Sequence, residues 1–298
     1  MSRSPWRHAG MAAGLAVGCA VASCSSPSFA PASRVDTLRV LAVRADQPIA
    51  RPGERVHVTA LVADGHAPRA VAFAWGTCVN PGSAEADACA RGASTFTVGG
   101  PAFDVQVPGD ALATRPAGAP IGVVGVVFAA CAGTVLQERS ETSPVRCVGP
   151  DGADLGRDGF VWGIKRIVVT ESARNANPSI DLLRIDGVEW GTGTAVFVAC
   201  PASSLRDCAR EQRHLVEAIP SPTSVETALG VTEDLVASFY VSQGSVDDDY
   251  ARIDPASGAF HTVVAATEGD PKRSMTMWIV LRDDRGGVTW TARSIEVR

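Results

Sequence analysis

An all-β fold is predicted, arranged as two tandem β-sandwiches behind a short N-terminal export segment. Three observations carry this reading. Short apolar runs, many of them β-branched, recur along the chain; clusters of Gly, Pro and Asp break them at regular intervals; and no stretch shows a helical period of useful length. A chain of 298 residues has room for one large or two ordinary domains.

The export segment comes first. Arg3 and Arg7 form a positive region, residues 11–22 are small and apolar without charge, and small residues follow, which is the three-part build of a secretory signal. The apolar run is shorter than the roughly 20 residues that a spanning helix needs. Val21-Ala22-Ser23-Cys24 resembles the lipobox of bacterial lipoproteins, in which an aliphatic residue, two small residues and a cysteine direct acylation and cleavage before that cysteine. The resemblance implies a signal peptide over 1–23, lipid attachment at Cys24 and a lipidated linker over 24–34. Cys19 is a second candidate, with Ala16 in the aliphatic position, and an ordinary cleavage after Ala30 is a third reading. Several acyl chains at about 0.8 kcal/mol per buried CH₂ would make the tether effectively permanent. Ser25 stands where an inner-membrane retention signal would place Asp, so an outer-membrane or cell-surface destination is implied.

From Cys24 onward the charge balance disfavours nucleic acid. Removing residues 1–23 leaves 275 residues and takes away Arg3 and Arg7, so 25 basic groups face 32 acidic ones, a net charge of −7. Nucleic acid and anionic lipid are poor partners for such a surface. Only Lys165 and Lys272 are lysines, a bias of coding composition rather than of function.

The first sandwich is expected over 35–170. Its cleanest strand is RVHVTALV at 55–62, where Val56, Val58, Ala60 and Val62 alternate onto one face between the turn sequences RPGE and DGHAP. AVAFAW (70–75), FDVQV (103–107), IGVVGVVFA (121–129) and KRIVVT (165–170) follow at sandwich spacing. ESARNANPS at 171–179 is polar, contains Pro and reads as the boundary. A second sandwich is expected over 180–298, with strands at 180–187, 194–199, 234–242, 259–265, 275–281 and 288–297.

Six cysteines remain in the sandwiches, an even number that fits disulfides in an oxidising compartment. They fall as three close pairs: Cys78 and Cys89, Cys131 and Cys147, Cys200 and Cys208. In an immunoglobulin-like order the strands at 70–75 and 121–129 are C and F, adjacent and antiparallel. Cys78 and Cys131 then follow opposite ends of the sandwich and lie too far apart for a bridge, so local pairing is expected. Zinc is disfavoured, because no C-x₂-C spacing occurs and the five histidines (8, 57, 66, 214, 261) are scattered.

Two acidic loops have oxygen donors of the kind Ca²⁺ takes, Asp247, Asp248, Asp249 and Asp254 in one, Asp151, Asp154 and Asp158 in the other. The first fails the EF-hand pattern, with Arg252 and Gly258 where Gly and Glu belong. Asp and Gly between strands are turn formers, and no metal site is expected. RDDRGG at 282–287 reads as a hairpin tip. No nucleophile-elbow, metalloprotease, P-loop or dinucleotide-binding motif occurs, so no cofactor and no enzyme activity are expected. Trp75, Trp162, Trp190, Trp278 and Trp290 are read as core fillers, Trp278 and Trp290 as neighbours across the last hairpin.

The order TLRVLAVRADQPIARPGERVHVTALVADG, AWGTC, IKRIVVT, NANPSIDLLRIDG and MWIVLRDDRGGVTW resembles a group of uncharacterised Gram-negative surface lipoproteins with tandem Ig-like domains. Its closing segment is similar to the end of polycystic-kidney-disease-type Ig modules. The resemblance implies no activity. Sequence therefore leads to a lipid-anchored, non-catalytic binding or structural module at the cell envelope with a protein or glycan partner. A carbohydrate-binding or hydrolytic surface protein and an accessory subunit of an envelope complex are the alternatives.

Overall fold

The computed structural model describes residues 31–65, 69–81, 89–91, 93, 95–138, 144–228, 231–267 and 274–298. Cys19, Cys24, His66 and Lys272 lie outside the described residues. Pro31–Arg298 form one compact unit. Its N-terminal half contributes β1 (Arg39–Ala45), β2 (Ile49–Ala50), β3 (Arg55–Ala63), β4 (Ala72–Val79), β5 (Thr97–Gly99), β6 (Ala102–Gln106), β7 (Gly122–Cys131), β8 (Thr134–Gln137), β9 (Val145–Val148) and β10 (Phe160–Val169). The C-terminal half contributes β11 (Ile180–Ile185), β12 (Val188–Glu189), β13 (Ala195–Phe197), β14 (His214–Pro220), β15 (Thr227–Ala228), β16 (Val231–Thr232), β17 (Val236–Val241), β18 (Ser245–Val246), β19 (Tyr250–Arg252), β20 (Phe260–Ala265), β21 (Ser274–Arg282) and β22 (Val288–Val297).

Both halves share one strand order. The first pairs a β1-β3-β6 sheet with a β2-β10-β7-β4-β5 sheet, and β2 runs parallel to β10. In the second, β11, β14 and β20 take the places of β1, β3 and β6, while β13-β22-β21-β17-β19 repeats the five-stranded sheet with β13 parallel to β22. In immunoglobulin lettering this is A-B-E against A′-G-F-C-C′ in both halves. The expected C and F strands are β4 and β7, antiparallel as predicted.

The register also explains the disulfides. Cys78 lies opposite Gly125 and Cys131 opposite Ala72, at the two ends of the β4–β7 pair. Bridges join Cys78 to Cys89, Cys131 to Cys147 and Cys200 to Cys208, and loops of this length stabilise by about 2–4 kcal/mol each. Cys78 lies near the end of β4, Cys131 ends β7 and Cys200 follows β13, so the three bridges start from different positions of the shared order.

Burial follows the alternation where one face is solvated. Val56 and Val58 of β3 are fully buried and Ala60 nearly so, with exposed His57 and half-buried Thr59 between them. Strand β7 is apolar throughout because both of its faces are covered. Val124, Val126 and Phe128 enter the first core, while Val127 and Ala129 pack under Cys78, Cys89 and Phe96. Gly125 belongs to this second layer: a Cβ there would stand 2.7 Å from the Cys78 sulfur, so glycine is what lets the bridge rest on the strand. The second core gathers Phe197, Phe239, Phe260, Met275, Met277, Ile279 and Ile295.

Candidate functional site

The face of the second half that turns away from its own core is the most distinctive surface of the molecule. Alternation in β17, β21 and β22 sends Met275, Met277, Ile279 and Leu281 inward, and Tyr240, Trp278, Val280, Val288 and Trp290 outward. Most of that outer face is covered. Val280 and Val288 are buried against Val35, Leu41, Ala42 and Ala63 of the first half, with Leu61, Tyr240, Trp278 and Trp290 packed around them. The Arg44 guanidinium caps the seam, 4.8 Å from the Trp290 ring. Trp278 lies opposite Ala292 and Trp290 opposite Val280, so the two indoles are diagonal neighbours whose main partner is the other sandwich.

Polar latches frame the seam. Arg282 donates to the Leu41 carbonyl (2.6 Å) across it and to Ser238 Oγ (3.0 Å) on its own sheet. The 283–287 tip is a hairpin turn as expected, organised by Asp283, whose Oδ1 accepts from the backbone N–H groups of Arg285 (2.9 Å) and Gly287 (2.7 Å). Its Oδ2 accepts from Asn175 Nδ2 at 3.0 Å. Asn177 donates to the Ala45 carbonyl and accepts from the Val288 N–H, both at 2.8 Å, so one amide ties the end of β1 to the start of β22. Arg174 grips both oxygens of Glu54 (2.8 and 2.6 Å). This guanidinium, helped by the Arg51 N–H, holds the Glu54 carboxyl down to about 2. Residues 171–179 therefore work as a clasp where sequence reads a plain polar boundary. The expected linker over 24–34 is likewise docked at its end: Val35 donates to the Val241 carbonyl and Val241 to that of Ser33, both at 2.9 Å.

Lys165 reaches into the same junction from β10. Only 8% exposed, it donates to the Gly286 carbonyl of the hairpin tip. Burial pushes its ammonium down to about 8; the nearby Asp283 carboxylate opposes this and Arg282 adds to it. The unfolded chain, at 10.5, then binds more protons between pH 8 and 10.5, so stability rises with pH across that window. Two and a half units correspond to about 3 kcal/mol. Urea midpoints of the wild type should climb from pH 8 to 10.5, and those of Lys165→Met should not; equal slopes would show that Lys165 titrates normally. Sequence passes over this residue, although a signal exists: in IKRIVV the alternation sets Lys165 on the face of the fully buried Ile167 and Val169.

Glu233 is a second buried ion at the junction. Its Oε2 accepts from the Glu226 N–H at 3.0 Å, and Arg285 Nη1 stands 3.3 Å from Oε1 without hydrogen-bond alignment. Burial raises its carboxyl above the ordinary range.

Several carboxylates of the acidic loops are engaged in local bonds. Asp247 Oδ1 accepts from the backbone N–H groups of Asp248 and Val263 and from Thr262 Oγ1. Asp254 caps its own turn through Ala256 and Ser257, Asp154 pairs with Arg146, Asp151 accepts from the Ala153 N–H, and the Asp158 carbonyl receives Arg69. Among the described residues no group of three or more His, Cys, Asp or Glu is placed to hold a metal. Trp75 and Trp190 are buried, at 1% and 6% exposure, and Trp162 packs edge-on against Phe96 and Phe160.

Two grooves open beside the seam. One, of about 450 Å³, is lined by Phe128, Trp162, Ile164, Lys165, Arg282 and Asp283 among others. The other, of about 340 Å³, is lined by Arg39, Leu41, Ser238, Tyr240, Asp249 and Tyr250 among others.

No family model and no curated protein matches the chain. Among solved structures it is similar to red sea bream transglutaminase, at 11% identity over 89% of this chain and 32% of that one, with a TM-score of 0.29. It is also similar to the Yersinia pseudotuberculosis adhesin InvE, at 13% identity over 87% of this chain and 60% of that one (TM-score 0.23). A third is the tandem Ig repeats of Dlar, at 10% identity over 88% of this chain and 98% of that one (TM-score 0.23). The chain thus spans less than two thirds of the length of the first two. The immunoglobulin order rests on the strand pairing above, not on these likenesses.

Proposed function

We propose that the protein is a lipid-anchored, non-catalytic module of the cell envelope that acts by binding or by structural support. The seam carries this reading. Two sandwiches whose aromatic and charged junction residues are engaged in holding each other form a stiff body, which suits presentation of a surface better than turnover of a substrate. Three disulfides support an oxidising compartment, and the Val21–Cys24 sequence supports acylation at Cys24. From Cys24 to Pro31 the chain extends at most about 25 Å, so an acylated Cys24 would hold the sandwiches close to the membrane surface. Cys24→Ser should abolish membrane retention and incorporation of a fatty-acid analogue while leaving the unfolding midpoint unchanged. Label persisting in the mutant would move the anchor elsewhere.

A further inference from the structure

We propose that the groove between Tyr240 and Tyr250 is a binding site for a neutral hexopyranose unit of a glycan, an inference that deepens the reading of a surface binding module. The chain has 2 tyrosines, and both line this groove. Register explains how they meet: Tyr250 of β19 lies opposite Ser238 of β17, and Ser238 shares a face with Tyr240 two residues on. Tyrosine differs from the phenylalanines of the two cores in having an apolar ring with a polar tip, suited to a ligand that is apolar on one face and hydroxylated at its edge.

The groove is the uncovered end of the aromatic face whose other part forms the seam. Trp278 and Trp290 are packed against the first half, whereas Tyr250 remains 54% exposed. Its polar groups are available: among the described residues the Tyr240 and Tyr250 hydroxyls and the Asp249 carboxylate have no protein hydrogen-bond partner, in contrast to Asp247 two residues before Asp249. A carboxylate beside an aromatic ring can accept from two neighbouring sugar hydroxyls while the ring takes the C–H face. The pocket volume of about 340 Å³ lies at the small end of ligand sites, which fits one ring better than an extended peptide. Arg39 closes one side but is held by the Ala32 carbonyl at 2.5 Å. The lining holds one carboxylate, Asp249, and one guanidinium, Arg39, and a groove whose charges balance suits a neutral sugar.

Saturation-transfer NMR on the mature chain decides it, with methyl glucoside, methyl galactoside, methyl mannoside and glucuronate as probes. Transfer to at least one neutral glycoside is expected, with affinity at least tenfold weaker in Tyr250→Ala and in Asp249→Asn, and weaker for glucuronate. Both variants lie on an exposed strand end, and an unchanged unfolding midpoint verifies their fold. No transfer to any neutral glycoside, or equal transfer to wild type and Tyr250→Ala, overturns the proposal. Neither result touches the lipid-anchor reading, which the Cys24→Ser labelling tests separately.

Discussion

Asp283→Ala is expected to lower stability by about 4 kcal/mol, measured as the shift in urea midpoint at neutral pH. The carboxylate accepts two backbone N–H groups of its own turn and the Asn175 amide, and hydrogen bonds to a charged group contribute about 1.5–3 kcal/mol each. Its loss also strips the Lys165 ammonium of the carboxylate that offsets its burial. Asn175 is left with neither end of its amide satisfied, since its Oδ1 is already buried without a partner. Asp283→Asn keeps an acceptor and should cost about half as much. The control is the next residue: Asp284 is exposed, and Asp284→Ala should stay within about 0.5 kcal/mol. Similar shifts for Asp283→Ala and Asp284→Ala would mean that the tip does not hold the seam.

That experiment also probes the part of the molecule least legible in the sequence. RDDRGG was readable as a hairpin tip, because turn chemistry between two strand patterns is local information. That the tip docks on Lys165 and Asn175 is long-range information, and no local pattern carries it. A partial signal was present in MTMWIVL, which is apolar on both faces. A strand apolar on one face needs one partner layer, and a strand apolar on both needs two; Trp278 and Val280 were therefore announcing the seam. The cores were easier. Strand β3 alternates cleanly, and the pairing of β4 with β7 followed from their places in the sandwich order, which in turn fixed the local disulfides. Strand β1 escaped because its register shifts between Val40 and Ala42, so its burial does not alternate. Strand β14 escaped because its inward residues are Val216 and Ala218, one of them too small to stand out in a charged neighbourhood. The tyrosine groove needed the pairing of β17 with β19, which three residues of β19 were too short to show.

The shared strand order of the two halves has a consequence for how the seam arose. In each half the five-stranded sheet has an outer face. In the first it is covered by the chain's own loops, with the Cys78–Cys89 bridge, Phe96 and Val145 lying over Val127 and Ala129. In the second the equivalent face is covered by the first half. One physical problem, an apolar outer face on the F and C strands, thus has a local solution in one sandwich and an inter-sandwich solution in the other. Only the second solution couples the two cores.

Such coupling makes Trp75→Ala the sharpest test of whether the halves unfold together. Trp75 is 1% exposed, stacks within 5.2 Å of Phe73 and 5.8 Å of Phe103, and meets Phe128 at 5.8 Å. Its indole N–H donates to the Gly100 carbonyl at 2.9 Å. Truncation of a buried tryptophan costs about 3–5 kcal/mol through lost contacts and the cavity left behind. The Gly100 carbonyl is exposed and can turn to water, so about 4 kcal/mol is expected. Trp75→Phe keeps the ring stack and should recover more than half of it. For a unit of this size each kcal/mol moves the midpoint by roughly 2–4 °C, so the shift should be about 10 °C. If the seam couples the cores, calorimetry of the wild type gives one transition, and Trp75→Ala lowers that transition as a whole even though Trp75 touches only the first core. Two transitions, of which the mutation moves one, would reduce the seam to a contact between independent sandwiches; the coupling would then fail, while the account of each core would stand.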